Sequence, residues 1–327
     1  MHVVIMGGGR GLIQTIRAIQ PVAQRITVIE PSCNDTESDE LIRRDGKYPA
    51  FAHMLQVMCT FGNNTSVVRV MQHRFNQLDS AYTKVPFGVL SVLAHAAHSS
   101  LPEALERFRQ DVSCEIEVQL VSHTPHDMVC RVAETEHRRG ISHIRQSPLG
   151  AIQQAFLDPP ASASPAVLHA LKVADVVLIA PGSLYEHVLP VLLPDGISET
   201  LQSVKGHVLC IPALTTVPGQ TDTFRLADYV ARVARTIGRG GLDRVVINPA
   251  YYPSDHANYL LKRGIKQLRY EESDAAVIHA LGVQAVFRDM LNEPADAQRY
   301  NTASLTTHNE TELRMACVLA IKESNTN

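Results

Sequence analysis

The stretch that most restricts what this chain can become is residues 174–197, Ala-Asp-Val-Val-Leu-Ile-Ala-Pro-Gly-Ser-Leu-Tyr-Glu-His-Val-Leu-Pro-Val-Leu-Leu-Pro-Asp-Gly-Ile. Val176 to Ala180 is an unbroken apolar run, the pattern of a strand buried on both faces rather than one. Pro181-Gly182-Ser183 ends the run, and Leu184 to Leu193 continues with helical spacing. A sharp turn between a parallel strand and a helix points backbone N–H groups outward and suits a phosphate or another anion. The competing reading is a plain strand-to-helix connection that uses Gly for its turn.

A second glycine turn favours the anion. Residues 2–6 predict a buried first strand, followed by Gly7-Gly8-Gly9-Arg10-Gly11-Leu12 and a helix to about Ile19. Glycines let a backbone approach an anion, and Arg10 adds a bidentate donor. Ile26–Ile29 predicts the second strand, ending in Glu30, about where a dinucleotide enzyme holds a ribose. The polar loop Asn34-Asp35-Thr36-Glu37-Ser38-Asp39-Glu40 either holds Mg²⁺ or a general base, or is a solvated loop before a helix. Further on, residues 50–60 and 87–111 predict helix, with a start at Leu101-Pro102-Glu103, and Ser113–Thr124 alternates like a half-buried strand. Arg138-Arg139-Gly140 and Ile141–Ile144 suggest a hairpin excursion. His207–Ile211 predicts a strand ending in the polar turn Thr215–Thr221, and Arg244–Ile247 another ending at Asn248. Four such strand ends would line one edge of a parallel sheet, where open α/β folds bind ligands.

The bulk composition excludes several functions. A net charge of −3 and the absence of Trp argue against nucleic acid. No apolar stretch is long enough to cross a bilayer, and Met1–Met6 is too short for a secretory h-region. The six cysteines never form C-x-x-C, which fits a reducing cytoplasm. His95-x-x-His98 and His123-x-x-His126 could each offer two metal ligands, but spacing places no third.

With these motifs in order, the chain resembles the CofD/YvcK-like family, the 2-phospho-L-lactate transferases and gluconeogenesis factors. That family's Gly-Gly-Gly-Thr-Gly-Leu corresponds to Gly7–Leu12, with Arg10 in the Thr place. Its Asp-Asp-Gly-Gly-Ser-Ser-Gly corresponds to residues 34–40, and its Gly-Pro-Gly-Ser-Leu-Tyr-Thr-Ser to Ala180–His187. Its Pro-Gly-Glu-Thr corresponds to Pro218–Thr221, its strand-end Asn to Asn248, and the Arg of its Arg-His-Asp to Arg299. The resemblance implies a nucleotide or nucleotide-sugar ligand held by Gly7, Gly8, Gly9, Arg10, Gly11 and Leu12. Asn34, Ser38, Pro181, Gly182, Ser183, Leu184 and Tyr185 would complete the near wall, with Pro218, Gly219, Asn248 and Arg299 beyond. Asp35 would be both the catalytic residue and the Mg²⁺ ligand. The departures thin the acids: Asn34 replaces an Asp, Phe51 replaces a second carboxylate, and Arg-His-Asp reads Arg299-Tyr300-Asn301.

The resemblance implies either a diverged phospho-acid transferase acting on a hydroxyl acceptor or a non-catalytic, nucleotide-sugar-binding regulator of carbon metabolism or cell-envelope synthesis. An NAD(P)-dependent dehydrogenase rests on the glycine turn and Glu30 alone, without G-x-G-x-x-G. The expected fold is three-layer α/β/α, Rossmann-like, with a mostly parallel sheet. It forms a single domain over 1–327, with a small excursion about 113–150 and a loose tail from Glu323. The expected setting is cytoplasmic, as a homodimer without nucleic-acid or membrane partners.

Overall fold

The computed structural model describes residues 1–75, 82, 85–147, 150, 152–292 and 302–322; Arg299, Tyr300, Asn301 and the tail from Glu323 lie outside them. Apolar runs become strands, and their placement follows the runs closely. β1 (His2–Met6), β2 (Arg25–Glu30) and β3 (Glu117–Leu120) form one side of a seven-stranded sheet. β4 (Asp127–Arg131), β5 (His137–Arg139) and β6 (Gln154–Asp158) form a separate antiparallel sheet in the order β5-β4-β6. β7 (Val176–Ile179), β8 (His207–Cys210), β9 (Arg244–Ile247) and β10 (Gln284–Phe287) complete the large sheet. Its order is β10-β9-β8-β7-β1-β2-β3, with every adjacent pair parallel.

The continuous apolar pattern has the expected cause. Val4 and Met6 of β1 enter the core beneath the helices at 165–172, 189–192 and 226–237. Val3 and Ile5 enter the opposite core, with the helices at 9–19, 52–60, 101–111 and 310–322. Alternate side chains of one strand thus serve two helical layers, giving the three-layer Rossmann-like architecture.

Chain order runs outward in both directions from the adjacent pair β1 and β7, paired from Val3–Val176 to Met6–Ile179. That reversal opens a crevice at the carboxyl ends of the two strands. The glycine turn and the Pro181–Ser183 turn flank it.

Several boundaries differ from the sequence expectation. Strand character covers only Glu117–Leu120 of the alternating 113–124 segment, and this strand joins the main sheet. The excursion is the β4–β6 sheet, so it begins and ends later than 113–150. Ile141–Ile144 is a short helix, not a strand. The helix start expected at Leu101-Pro102-Glu103 is where residues 87–111 divide: a capping box between Ser100 and Glu103 starts the second helix at Leu101. Among the described residues, no helix is long and apolar enough to cross a membrane.

Candidate functional site

The first turn is compact because of its glycines. Gly9 has φ +68°, a left-handed conformation open to glycine, and it begins the helix Gly9–Ile19. A methyl on Gly11 would lie 1.8 Å from the Pro181 carbonyl oxygen. Gly11 therefore exists for the close approach of the two turns, a packing reason the ligand-cradle reading did not anticipate. Gly7 donates its N–H to the Ile29 carbonyl at 3.0 Å, tying the same turn to β2.

The second turn rests on a polar scaffold. Tyr229, buried, donates its hydroxyl to the Gly182 carbonyl at 2.9 Å. Ser183 Oγ donates to Gln220 Oε1 at 2.8 Å, and Gln220 Nε2 donates to Glu186. Arg145 closes the chain with two hydrogen bonds to Glu186, at 2.8 and 2.7 Å. Burial alone would push the Glu186 carboxyl upward, but the Arg145 guanidinium, with His187 and Gln220, holds it below the usual carboxylate range. The family pattern carries its acid at position 220 and a Thr at 186; here Gln220 and Glu186 exchange that arrangement across one hydrogen bond.

Between the turns lies a cavity of about 390 Å³, lined also by Arg10, Gln14, Pro218, Thr302 and Thr306–His308. Thr215, Thr216, Thr306 and Thr307 give this wall a hydroxyl-rich character. Two buried polar atoms of its lining residues, Gln14 Oε1 and His308 Nε2, have no hydrogen-bond partner among the described residues. Burial pushes His308 down to about 4, so the ring is neutral near pH 7. Leaving such atoms unpaired costs about 1–3 kcal/mol each, which makes them candidates for ligand or water contact.

The candidate residues divide sharply. Gly8, Gly9, Arg10, Gly11, Pro181, Gly182, Ser183 and Pro218 do converge on the crevice. Leu12, Leu184 and Tyr185 are core side chains, leaving only their backbone to a ligand. Asn248 ties β9 to β10, donating to the Ala250 carbonyl and accepting from the Met290 N–H, each at 2.9 Å. A methyl on Gly219 would lie 2.2 Å from the Arg145 carbonyl, so this glycine admits the excursion, not a ligand.

Asp35 is partly exposed and its Oδ2 accepts the Ser142 N–H at 2.8 Å, starting the short helix 141–144. Asn34 lends its carbonyl to Arg43 at 3.3 Å. Among the described residues, no three His, Cys, Asp or Glu gather where a metal could bind, and this covers both histidine pairs. The acidic loop is largely a cap: Asp39 is fully buried and receives the Thr36 hydroxyl and the Ala52 N–H. Burial, opposed by those bonds, raises its pKa.

Glu30 is 0% exposed and hydrogen-bonded to His53 at 2.6 Å, which removes it from any ribose. Burial alone would lower the His53 pKa, but the Glu30 charge and hydrogen bond outweigh it and raise it. His53 and Ser38 line a second cavity of about 560 Å³, with Phe108. Sequence reasoning did not single out the Arg145–Glu186–Gln220 chain, Glu30–His53 or Gln14–His308. The first had a visible signal in the exchanged residues at 186 and 220.

The family described as "2-phospho-L-lactate transferase CofD" matches residues 3–291. A "Gluconeogenesis factor" from Listeria innocua is 26% identical over 295 residues, 89% of this chain and 88% of that protein. One from Listeria monocytogenes is 25% identical over 296 residues, 89% of each. A crystal structure of a Bacillus halodurans protein superposes with a TM-score of 0.85 at 22% identity, over 97% of this chain and 98% of that one. The structural likeness concerns the fold.

Proposed function

The chain belongs to the CofD family, and from that premise we propose that it binds a nucleotide-type ligand in the switch-point crevice and acts as a regulator. The observation that carries this reading is the pair of orphaned buried atoms, Gln14 Oε1 and His308 Nε2, among the residues lining that crevice. The nearby N-terminus of helix 9–19 and Arg10 favour an anionic group, and the hydroxyl-rich wall suits a phosphate or sugar. A regulatory role agrees with the thinned acids and with the likeness to the Listeria proteins called gluconeogenesis factors. Phe51 stands 1% exposed in the core where the family pattern has an acid, and Asp35 already caps a helix.

Among the described residues no carboxylate lines the crevice, so a Mg²⁺ ion carried in with the ligand would depend on phosphate oxygens, with Asp35 the carboxylate offered by its motif position although it is engaged by the Ser142 N–H. The ion would neutralise phosphate charge, while Arg10 and Ser183 orient the ligand. Outside the described residues, Arg299 is assigned to the same ligand by its motif position. The reading takes the protein as a cytoplasmic homodimer, an assembly that sedimentation velocity reads directly.

The test is thermal unfolding with GTP, GDP, UDP-glucose, UDP-N-acetylglucosamine and NAD, each with and without Mg²⁺. A ligand that binds the native state raises the midpoint through mass action. A rise with a UDP-sugar independent of Mg²⁺ is the expected result; no response to any nucleotide by thermal unfolding or calorimetry sinks the proposal.

One observation favours phospho-acid transfer as a second reading. The 560 Å³ cavity beside Glu30–His53 offers room for a hydroxyl-bearing acceptor near the crevice. Stabilisation by a guanine nucleotide that deepens with Mg²⁺, followed by loss of product in Asp35→Ala, would establish it. An Asp35→Ala protein turning over at the wild-type rate would remove Asp35 from the chemistry.

A further inference from the structure

The hydrogen bonds behind Ser183 run in one direction only. A guanidinium carries donors and no acceptor, and Arg145 spends Nε and Nη2 on the two carboxylate oxygens of Glu186, at 2.8 and 2.7 Å. That bidentate grip keeps Glu186 ionised, so its oxygens can only accept. The third contact on Glu186 must therefore be a donor, and it is Gln220 Nε2. Gln220 is 1% exposed, and with its NH2 turned to the carboxylate its carbonyl oxygen faces Ser183. An amide oxygen accepts, so the single proton of the Ser183 hydroxyl is committed to it at 2.8 Å. Ser183 is partly exposed and lines the crevice. What it has left to offer a ligand is lone pairs.

A second side chain lining the crevice has the same polarity. Gln14 Nε2 donates to the His308 carbonyl at 3.0 Å, which fixes this amide and leaves Oε1 as its acceptor. That oxygen is buried without a hydrogen-bond partner among the described residues. An ionised phosphoryl group brings only acceptors and cannot satisfy either atom. It is matched instead by Arg10 and the N-terminus of helix 9–19. The groups that suit fixed acceptors are hydroxyls and N–H groups, and a sugar ring carries several hydroxyls.

Resting on the nucleotide reading of the crevice, we propose that Ser183 is its specificity-determining residue, accepting a hydroxyl of a glycosyl group so that the protein selects a glycosylated nucleotide over the bare nucleoside diphosphate. Arg145, Glu186 and Gln220 are positioning residues, which set the direction of the Ser183 hydroxyl through one another. A site built to take a ligand hydroxyl discriminates because the ligand lacking it leaves the acceptor unpaired. The direction is also reversible. In Glu186→Gln the introduced amide accepts from Arg145 and donates to Gln220, whose own amide then turns over and donates to Ser183. The Ser183 proton is released toward the crevice, and the same hydroxyl changes from acceptor to donor.

The experiment is isothermal titration of UDP, UDP-glucose, GDP and GDP-mannose into the wild type, Ser183→Ala, Ser183→Thr and Glu186→Gln. Unfolding midpoints without ligand confirm that each protein is folded; should Glu186→Gln not fold, Gln220→Leu, which frees the same proton, takes its place. The readout is the affinity ratio of glycosylated to bare nucleotide, because a merely structural loss weakens both members of a pair alike. The wild type is expected to prefer the glycosylated member of at least one pair by about tenfold or more. Ser183→Ala and Glu186→Gln should each cut that ratio by about fivefold or more, while Ser183→Thr, which keeps a hydroxyl, restores most of it. A wild-type ratio near one, or a ratio unmoved in Ser183→Ala, overturns the proposal and leaves the crevice reading standing. So does a folded Glu186→Gln or Gln220→Leu protein that holds the wild-type ratio. Equal loss of both members in Ser183→Ala also overturns it, because Ser183 then serves the part they share. Silence of every protein toward all four probes overturns both readings.

Discussion

Replacing Arg145 by Met isolates the charge that balances the buried Glu186 while keeping most of the side-chain stem. Removing one partner of a buried pair typically costs about 3–5 kcal/mol, because the other charge is left unpaired. Here Glu186 is 7% exposed but the Arg145 side chain is 59% exposed, so solvent already screens part of the attraction. The discounted expectation is about 2 kcal/mol at pH 7. For a chain of this size that is a fall of about 3 °C in Tm. The pH dependence sharpens the test. In the wild type the folded Glu186 pKa lies below its usual 4.5, so its contribution is present above that value and lost as pH falls through the folded pKa. Without Arg145, burial dominates and raises the folded pKa, so acid relieves the penalty. The stability gap between the two proteins should therefore be largest near pH 7 and shrink toward pH 4.5. Urea unfolding at both pH values reads it, and the double variant Arg145→Met with Glu186→Gln should regain more than half of the loss. A gap that persists undiminished at pH 4.5, or a double variant weaker than the single one, refutes the pairing argument.

Three further outcomes follow from the same geometry. Gly11→Ala puts a methyl 1.8 Å from a backbone oxygen and should cost about 2–3 kcal/mol, read by urea midpoint; a neutral result would show that the turns separate freely. His308→Leu removes an unpartnered buried nitrogen, so the ligand-free protein should gain up to about 1 kcal/mol while the nucleotide-induced rise in Tm falls away. Because the His53 pKa is raised above 6.5, its stabilisation is full below that value and lost as pH rises through the folded pKa. His53→Gln should flatten the stability profile between pH 6 and pH 9, and an unchanged slope counts against the Glu30 pairing.

The framework was legible because it depends on local pattern. Val176–Ala180 and Val3–Met6 are apolar without interruption, and a sheet covered on both faces is the arrangement that uses such runs. The two turns were legible for the same reason, since Gly7–Gly11 and Pro181–Ser183 interrupt those runs abruptly. Side-chain partners across long separations were not. Nothing near Glu30 indicates His53, 23 residues on, and nothing near Glu186 indicates Arg145, 41 residues back. Residue type misled at Asn248, where a polar side chain at a strand end satisfies backbone groups. The glycines misled in part, because at Gly11 and Gly219 the approaching atom belongs to the protein.

The pairing of β1 with β7 also has a consequence for biosynthesis. His2 bonds to Asp175, 173 residues away, and the strands between them include β2 and β3 on β1's other side. At about 5–20 residues per second, one hydrogen-bonding edge of β1 waits roughly 10–30 s on the ribosome before its neighbour has been made. During that interval Val3, Val4, Ile5 and Met6 form a short, apolar, uncapped strand edge, the kind of surface that recruits other chains. Slowing translation between residues 120 and 176 should therefore lower soluble yield, and a holdase that covers apolar edges should restore it.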